Sequence, residues 1–371
     1  MPFSLLIKPA GPDCNLSCKY CFYSRKKELF AEKNHLMHDA ILEKIIKDFL
    51  ALGFPITNFA WQGGEPAIMG LDFYKRAIDL QNKYANKDAI INNSFQTNAT
   101  LLDDKWCKFF SQHNFLLGIS LDGPKIFHDY YRKDFSGGPT FEKVMNSIEL
   151  CRQNKVEFNI LTLLNNQNVK QPDDLFDFFV ENKFEYLQFI PCVEKDASNG
   201  KIAEYAISGK EFGIFMCRIF EKWKKFGVAK LSIRLFDSIM NHFVYGNHSD
   251  CTFQRKCNDY IVIEHNGDAY CCDFFVDKNT NLGNIMNTSV NDLFNSPIKK
   301  KFADAKKQLC QKCFVCHFSE ICRGGCLKDR IVLEDNFSAP SYLCDGYKMI
   351  FEKIAPELAS IAANFIHHRS L

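Results

Sequence analysis

No stretch of this 371-residue chain stays apolar for the about 18 or more residues that a membrane-crossing helix needs. Its 36 phenylalanines are scattered through short apolar runs, which points to interior packing and excludes a lipid span. Charge of one sign is also lacking. The 46 Lys and Arg residues stand against 44 Asp and Glu, and the net charge of +2 provides no field toward nucleic acid or an anionic membrane surface. The opening MPFSLLIKPA has neither a basic leader nor an apolar run of secretory length, because Lys8 and Pro9 interrupt it. A cytoplasmic protein is expected. There is no P-loop, no glycine fingerprint of a dinucleotide site, no internal repeat and no low-complexity tract. What remains is a globular composition, 46% hydrophobic and 24% charged, long enough for one large domain and a smaller one.

What the chain does have is cysteine, 17 in all. Three lie between Cys14 and Cys21, four are scattered at 107, 151, 192 and 217, and ten fall between Cys251 and Cys344. Clustered cysteines in an intracellular chain favour metal over disulfides, so two cysteine fields imply two metal-bearing regions.

Between the fields, short β-like runs alternate with amphipathic segments, the pattern of βα units on a parallel sheet. The candidate strands are SLLIKP (4–9), ITNFAWQGG (56–64), IINNSFQTN (90–98), FLLGISLDG (115–123), EFNILTLLN (157–165) and EYLQFIPCV (185–193). Helical spacing follows at 71–85, 103–114 and 172–183. Six units are fewer than the eight of a complete barrel, so the expected fold is α/β, a partial (β/α)6 barrel with functional residues at the carboxyl ends of its strands. Helices are expected at 211–227 and 236–245, and the expected domains are 1–235 and 236–371. In the second, DYIVIEHNGDAYCC (259–272) reads as a hairpin about Asn266-Gly267. A last helix is expected within 348–368, with Pro356 either kinking it or marking a first turn.

The first cysteine field is the loop CNLSCKYCFY. Structural zinc takes four protein ligands, which three thiolates do not supply. A 4Fe-4S cluster on Cys14, Cys18 and Cys21 would leave its fourth iron free for an outside ligand. On spacing alone, zinc and incidental thiols stay open. The C-x3-C-x2-C spacing, the following aromatic and the position after the first strand resemble the radical S-adenosylmethionine (SAM) superfamily, in which the open iron chelates SAM. That resemblance extends to Gln62-Gly63-Gly64-Glu65-Pro66, to Gln96-Thr97-Asn98 and to Ser120-Leu121-Asp122-Gly123 at successive strand ends. It implies SAM contacts from Gln62, Gly63, Gly64, Glu65, Ser120 and Tyr23. Taken by themselves, GGEP reads as an ordinary turn and Tyr23 as a core aromatic.

The late cysteines run C-x5-C (251, 257), Gly267-x4-Cys272, C-x2-C-x5-C-x3-C (313, 316, 322, 326) and Cys344. This order resembles the SPASM extension of radical SAM peptide-modifying enzymes, which binds two auxiliary 4Fe-4S clusters. The resemblance implies Cys251, Cys257, Cys272 and Cys326 as ligands of the nearer cluster, and Cys313, Cys316, Cys322 and Cys344 of the farther. Three 4Fe-4S clusters and SAM are thus the expected cofactors. Cys271 and Cys310 adjoin these patterns and stay unassigned.

Together with the CDFF segment at Cys272, these motifs resemble anaerobic sulfatase-maturating enzymes over about residues 4–350. Those enzymes oxidise a Cys or Ser side chain of a sulfatase to Cα-formylglycine. The resemblance implies Asp273 as the catalytic base, a sulfatase segment as substrate, and a flavodoxin or ferredoxin as electron donor. Two other readings stand beside it: another SPASM peptide maturase forming a thioether, crosslink or epimer, and an iron-sulfur electron carrier that performs no catalysis. Glu194 and Asp237 could meet an Arg of the substrate but read more simply as solvated surface groups, and the basic stretch KKKFADAKK (299–307) reads as a helix face.

Overall fold

The computed structural model describes residues 2–369. The six expected βα units are β1 (Ser4–Lys8), α1 (Asp39–Leu50), β2 (Ile56–Trp61), α2 (Leu71–Tyr84), β3 (Ile90–Thr97), α3 (Asp104–Gln112), β4 (Leu116–Ser120), α4 (Lys125–Tyr131), α5 (Phe141–Gln153), β5 (Glu157–Leu164), α6 (Pro172–Glu181), β6 (Tyr186–Pro191) and α7 (Gly209–Phe226). They are followed by β7 (Ser232–Ile233), α8 (Arg234–Tyr245), β8 (Tyr260–Glu264), β9 (Asp268–Tyr270) and β10 (Asn281–Asn284). The helices form where apolar residues recur at helical spacing. In α1, Leu42, Ile45, Ile46 and Phe49 fall on one buried face, each side chain contributing about 1.5–3 kcal/mol on burial. Their starts are capped: the Asp103 carboxylate accepts the Trp106 N–H ahead of α3, and Ser208 with Glu211 forms a capping box on α7.

The chain divides into two compact units. The first comprises residues 1–120, 129–158 and 258–303. In it β1 to β4 lie side by side and parallel. On the other edge of β1 lies β8, also parallel, with Lys8 opposite Glu264 in the register. The hairpin expected near Asn266-Gly267 joins β8 to β9, and β10 pairs antiparallel with β9. Its turn is wider than two residues: Gly267, at φ +87°, donates its N–H to the Glu264 carbonyl at 2.9 Å.

The second unit comprises residues 121–128, 159–257 and 304–371. Here β6 pairs parallel with both β5 and β7. Helix α7 buries Phe212, Phe215, Phe220 and Trp223, and it crosses the helix Cys344–Lys353 at glycines. A Cβ on Gly346 would stand 2.1 Å from the Gly209 carbonyl oxygen, so no side chain fits at this crossing. Pro356 sits in the first turn of the last helix, Ala355–Arg369, where its missing N–H costs nothing. No described helix is long and apolar enough to cross a membrane.

Candidate active site and cysteine centres

The loop after β1 carries Cys14, Cys18 and Cys21, and the motif residues at neighbouring strand ends hold it in place. Gly64 donates its N–H to the Gly11 carbonyl and Glu65 donates to that of Asp13, both at 2.8 Å. A Cβ on Gly64 would lie 2.0 Å from the Asp13 oxygen, so this approach of two backbones requires glycine. The buried Glu65 carboxylate accepts from the Thr97 hydroxyl at 2.8 Å, the Asn98 N–H at 2.7 Å and the Ala67 N–H at 3.0 Å. Burial outweighs these three donors and pushes its carboxyl up to about 7. Asn98 in turn donates to the Asn15 side chain at 2.9 Å, and Asn15 to Thr100 at 2.8 Å. The segments GGEP, QTN and CNLSC are therefore one hydrogen-bonded assembly.

This loop suits an electron-rich sulfur centre. The Leu16 N–H and the Asn98 amide both point at Cys14 Sγ, at 3.4 and 3.7 Å. Burial, the Glu65 carboxylate and the neighbouring thiols push the Cys14 thiol up to about 12, a penalty on the thiolate that a bound cation would remove.

A second polar group lies at the ends of β1 and β2. Lys8, 1% exposed, pairs with the Asp273 carboxylate and places its ammonium 3.3 Å from the centre of the Tyr23 ring. Gln62 donates to the other Asp273 oxygen at 3.3 Å. The Tyr23 hydroxyl donates to the fully buried Glu264 carboxylate at 2.6 Å. Gln96 donates to the Ser120 hydroxyl at 3.3 Å. Sequence reasoning named Asp273, Gln62, Tyr23 and Ser120 but missed Lys8 and Glu264. The available signal was the place of Lys8 at the carboxyl end of the first strand.

In the second unit, Cys313, Cys316, Cys322 and Cys344 line one cavity with Phe318, Tyr347 and Phe351. Burial and neighbouring sulfurs push Cys313 up to about 12; at Cys322 burial is the main cause and the value is about 11. Four thiols crowded in this way fit a polynuclear metal centre. Cys310 stands 3.3 Å from Cys313, sulfur to sulfur. Cys251, Cys257 and Cys326 belong to this unit; Cys272 belongs to the first, where the Tyr260 hydroxyl lies 3.2 Å from its sulfur. Of the remaining cysteines, Cys107 and Cys151 meet at 3.8 Å inside the first unit, while Cys192, Cys217 and Cys271 are buried in packing.

The basic stretch 299–307 is largely helical, as expected, but not all of its lysines face solvent. The helix is Pro297–Ala305, and Lys299 and Lys306 are buried. Lys299 donates to the carbonyls of Tyr260 at 2.8 Å and Cys271 at 2.9 Å; Lys306 donates to Thr252 at 2.7 Å and to Gly325. Both thus pin backbone next to cysteines. Arg330, buried and also missed, donates to the carbonyls of Gly324, Gln308, Phe337, Lys306 and Arg323. Glu194 and Asp237 are likewise not free surface carboxylates: Glu194 pairs with Lys328 at 3.0 Å, and Asp237 accepts from Ser232.

Comparison with known proteins agrees with this geometry. Residues 9–179 match the Radical SAM superfamily, and residues 251–317 match SPASM, an iron-sulfur cluster-binding domain. The chain is thus a radical SAM enzyme with an α/β fold and a C-terminal SPASM domain. It is 38% identical to the "Serine-type anaerobic sulfatase-maturating enzyme" of Bacteroides thetaiotaomicron, over 96% of this chain and 90% of that protein. It is 36% identical to the "Cysteine-type anaerobic sulfatase-maturating enzyme" of Clostridium perfringens, over 98% and 99%. The solved structure "Native anSMEcpe with bound AdoMet and Cp18Cys peptide" superposes with a TM-score of 0.91 at 36% identity, covering 98% of this chain and 100% of that one. The chain belongs to the anaerobic sulfatase-maturating enzyme family.

Proposed function

We propose that this enzyme oxidises the β-carbon of a Cys or Ser side chain in a sulfatase to Cα-formylglycine. The observation that carries the reading is the placement of Asp273, a carboxylate at the strand ends with one oxygen on Lys8 and the other within reach of Gln62. Cys14, Cys18 and Cys21 would hold the SAM-binding 4Fe-4S cluster. The Gly64 and Glu65 N–H groups tie this segment to the cysteine loop, and its backbone is the proposed meeting place for the amino group of SAM. Gln62, Gly63, Ser120 and Tyr23 complete the proposed SAM-facing set. Cys251, Cys257, Cys272 and Cys326 would hold one auxiliary cluster, and Cys313, Cys316, Cys322 and Cys344 the other. These centres with SAM supply a radical that takes a hydrogen atom from the β-carbon and an acceptor for the electron left behind. Asp273 takes the proton of the substrate thiol or hydroxyl. Loss of a hydrogen atom, a proton and an electron turns Ser directly into the aldehyde; from Cys the same losses give a thioaldehyde, which water converts to aldehyde and hydrogen sulfide. A flavodoxin or ferredoxin is the proposed electron donor, and residues 1–235 and 236–371 the proposed functional halves.

The test is mass spectrometry of an anaerobic, reduced reaction with SAM and sulfatase peptides carrying Cys or Ser. An aldehyde at the target residue, formed with 5′-deoxyadenosine and lost in Asp273→Asn, is the expected result. Deoxyadenosine without any aldehyde, or a crosslink or epimer in its place, would overturn the substrate assignment.

A further inference from the structure

The geometry points to Lys8 as a positioning residue for Asp273, an inference that rests on the role proposed above for that carboxylate. A buried ammonium is costly unless it is paired, and Lys8 has two partners that satisfy it. Its charge meets one Asp273 oxygen and the face of Tyr23. Tyr23 is itself fixed, because its hydroxyl is held by Glu264, which is fully buried and stands opposite Lys8 across the β1 and β8 register. The ring therefore forms a wall that keeps the ammonium turned toward Asp273.

The backbone ahead of Asp273 is held separately. Lys299 grips the carbonyls of Tyr260 and Cys271, two residues before the carboxylate. What Lys299 does not determine is the rotation of the Asp273 side chain. Lys8 determines it, by taking one carboxylate oxygen and leaving the other, on the Gln62 side, for the substrate proton. No proton leaves Lys8 in this scheme. Its effect is on where the carboxylate points when the substrate must lose its proton.

If the carboxylate is free to turn, hydrogen abstraction and deprotonation come apart. The experiment compares formylglycine formed per deoxyadenosine in wild type, Lys8→Met, Lys8→Arg and Glu264→Gln, all anaerobically reconstituted with matched iron content. Lys8→Met is expected to lower that ratio about tenfold or more, with peptide KM changed less than about threefold, and Lys8→Arg to restore most of the ratio. A wild-type ratio in Lys8→Met overturns the inference. Should Lys8→Met fail to take up iron, Glu264→Gln decides, since it loosens Tyr23 while leaving Lys8 in place: a lowered ratio supports the clamp and an unchanged one overturns it. A crystal structure of Lys8→Met provides a readout independent of turnover. Asp273 in more than one orientation supports the positioning role, and a single orientation on Gln62 overturns it. Absence of formylglycine from wild type would instead remove the parent reading, and the crystal structure would still test the hold of Lys8 on Asp273.

Discussion

The Glu65 carboxylate accepts the Asn98 backbone N–H at 2.7 Å, joining the loop after β2 to the end of β3. The carboxyl is shifted from an ordinary 4.5 to about 7, chiefly by burial. Between those values the folded chain keeps a proton that the unfolded chain has released, so raising the pH works against the fold. Wild type should lose stability relative to Glu65→Gln as pH rises from 4.5 to about 7, by on the order of 3 kcal/mol, and then level off. Anaerobic thermal melts of both proteins between about pH 5 and pH 8 check this. A difference that stays flat with pH, or grows in favour of wild type, would show that Glu65 is ionised throughout.

Arg330 bonds five backbone carbonyls while 1% exposed. In Arg330→Met these acceptors lose their donor inside the protein, at a cost of about 3–5 kcal/mol. Because Gly324 and Arg323 lie between Cys322 and Cys326, proposed ligands of different clusters, the same variant should lose at least one cluster's worth of iron, about four atoms per chain or more. Iron and sulfide quantitation gives the answer, and full iron loading would count against the role of Arg330 in shaping the cysteine loop.

Cys310 and Cys313 compete for one place in the assignment of ligands, their sulfurs 3.3 Å apart. Cys310→Ala should retain full iron, and Cys313→Ala should lose about four atoms. Mössbauer spectra of the two variants separate the cases, and the reverse pattern would move the ligand from Cys313 to Cys310.

Gly346 touches the Gly209 carbonyl in the crossing of α7 with the helix that begins at Cys344. Gly346→Ala should push the helices apart and destabilise the protein by about 1–3 kcal/mol. A denaturant midpoint matching wild type would mean that the crossing relaxes without loss.

Much of this architecture was legible in the chain itself. The alternation of buried positions in β2, β3 and β5 and the helical spacing of α1 are local properties, and the C-x-x-C spacings are short enough to be read without a fold. The roles that escaped reading are long-range. Lys8 looks like an interruption of an apolar strand, and only the pairing of β1 with β8, more than 250 residues later in the register Lys8 to Glu264, makes it an interior cation. Lys299 and Lys306 read as solvent-facing because lysine usually is; their burial depends on carbonyls of Cys271, Tyr260, Thr252 and Gly325, which no periodicity reveals. Glu65 stood in a recognisable motif, but its partners Thr97 and Asn98 come from another strand end.

The parallel pairing of β8 with β1 makes the hairpin from Tyr260 to Tyr270 a gauge for the distance between the first cysteine loop and Asp273. One inserted residue along β8 would advance its register by roughly 3.3 Å and turn the following side chains to the opposite face. Length changes in this family member should therefore be poorly tolerated inside the hairpin and in the short stretch from Tyr270 to Asp273 that follows it.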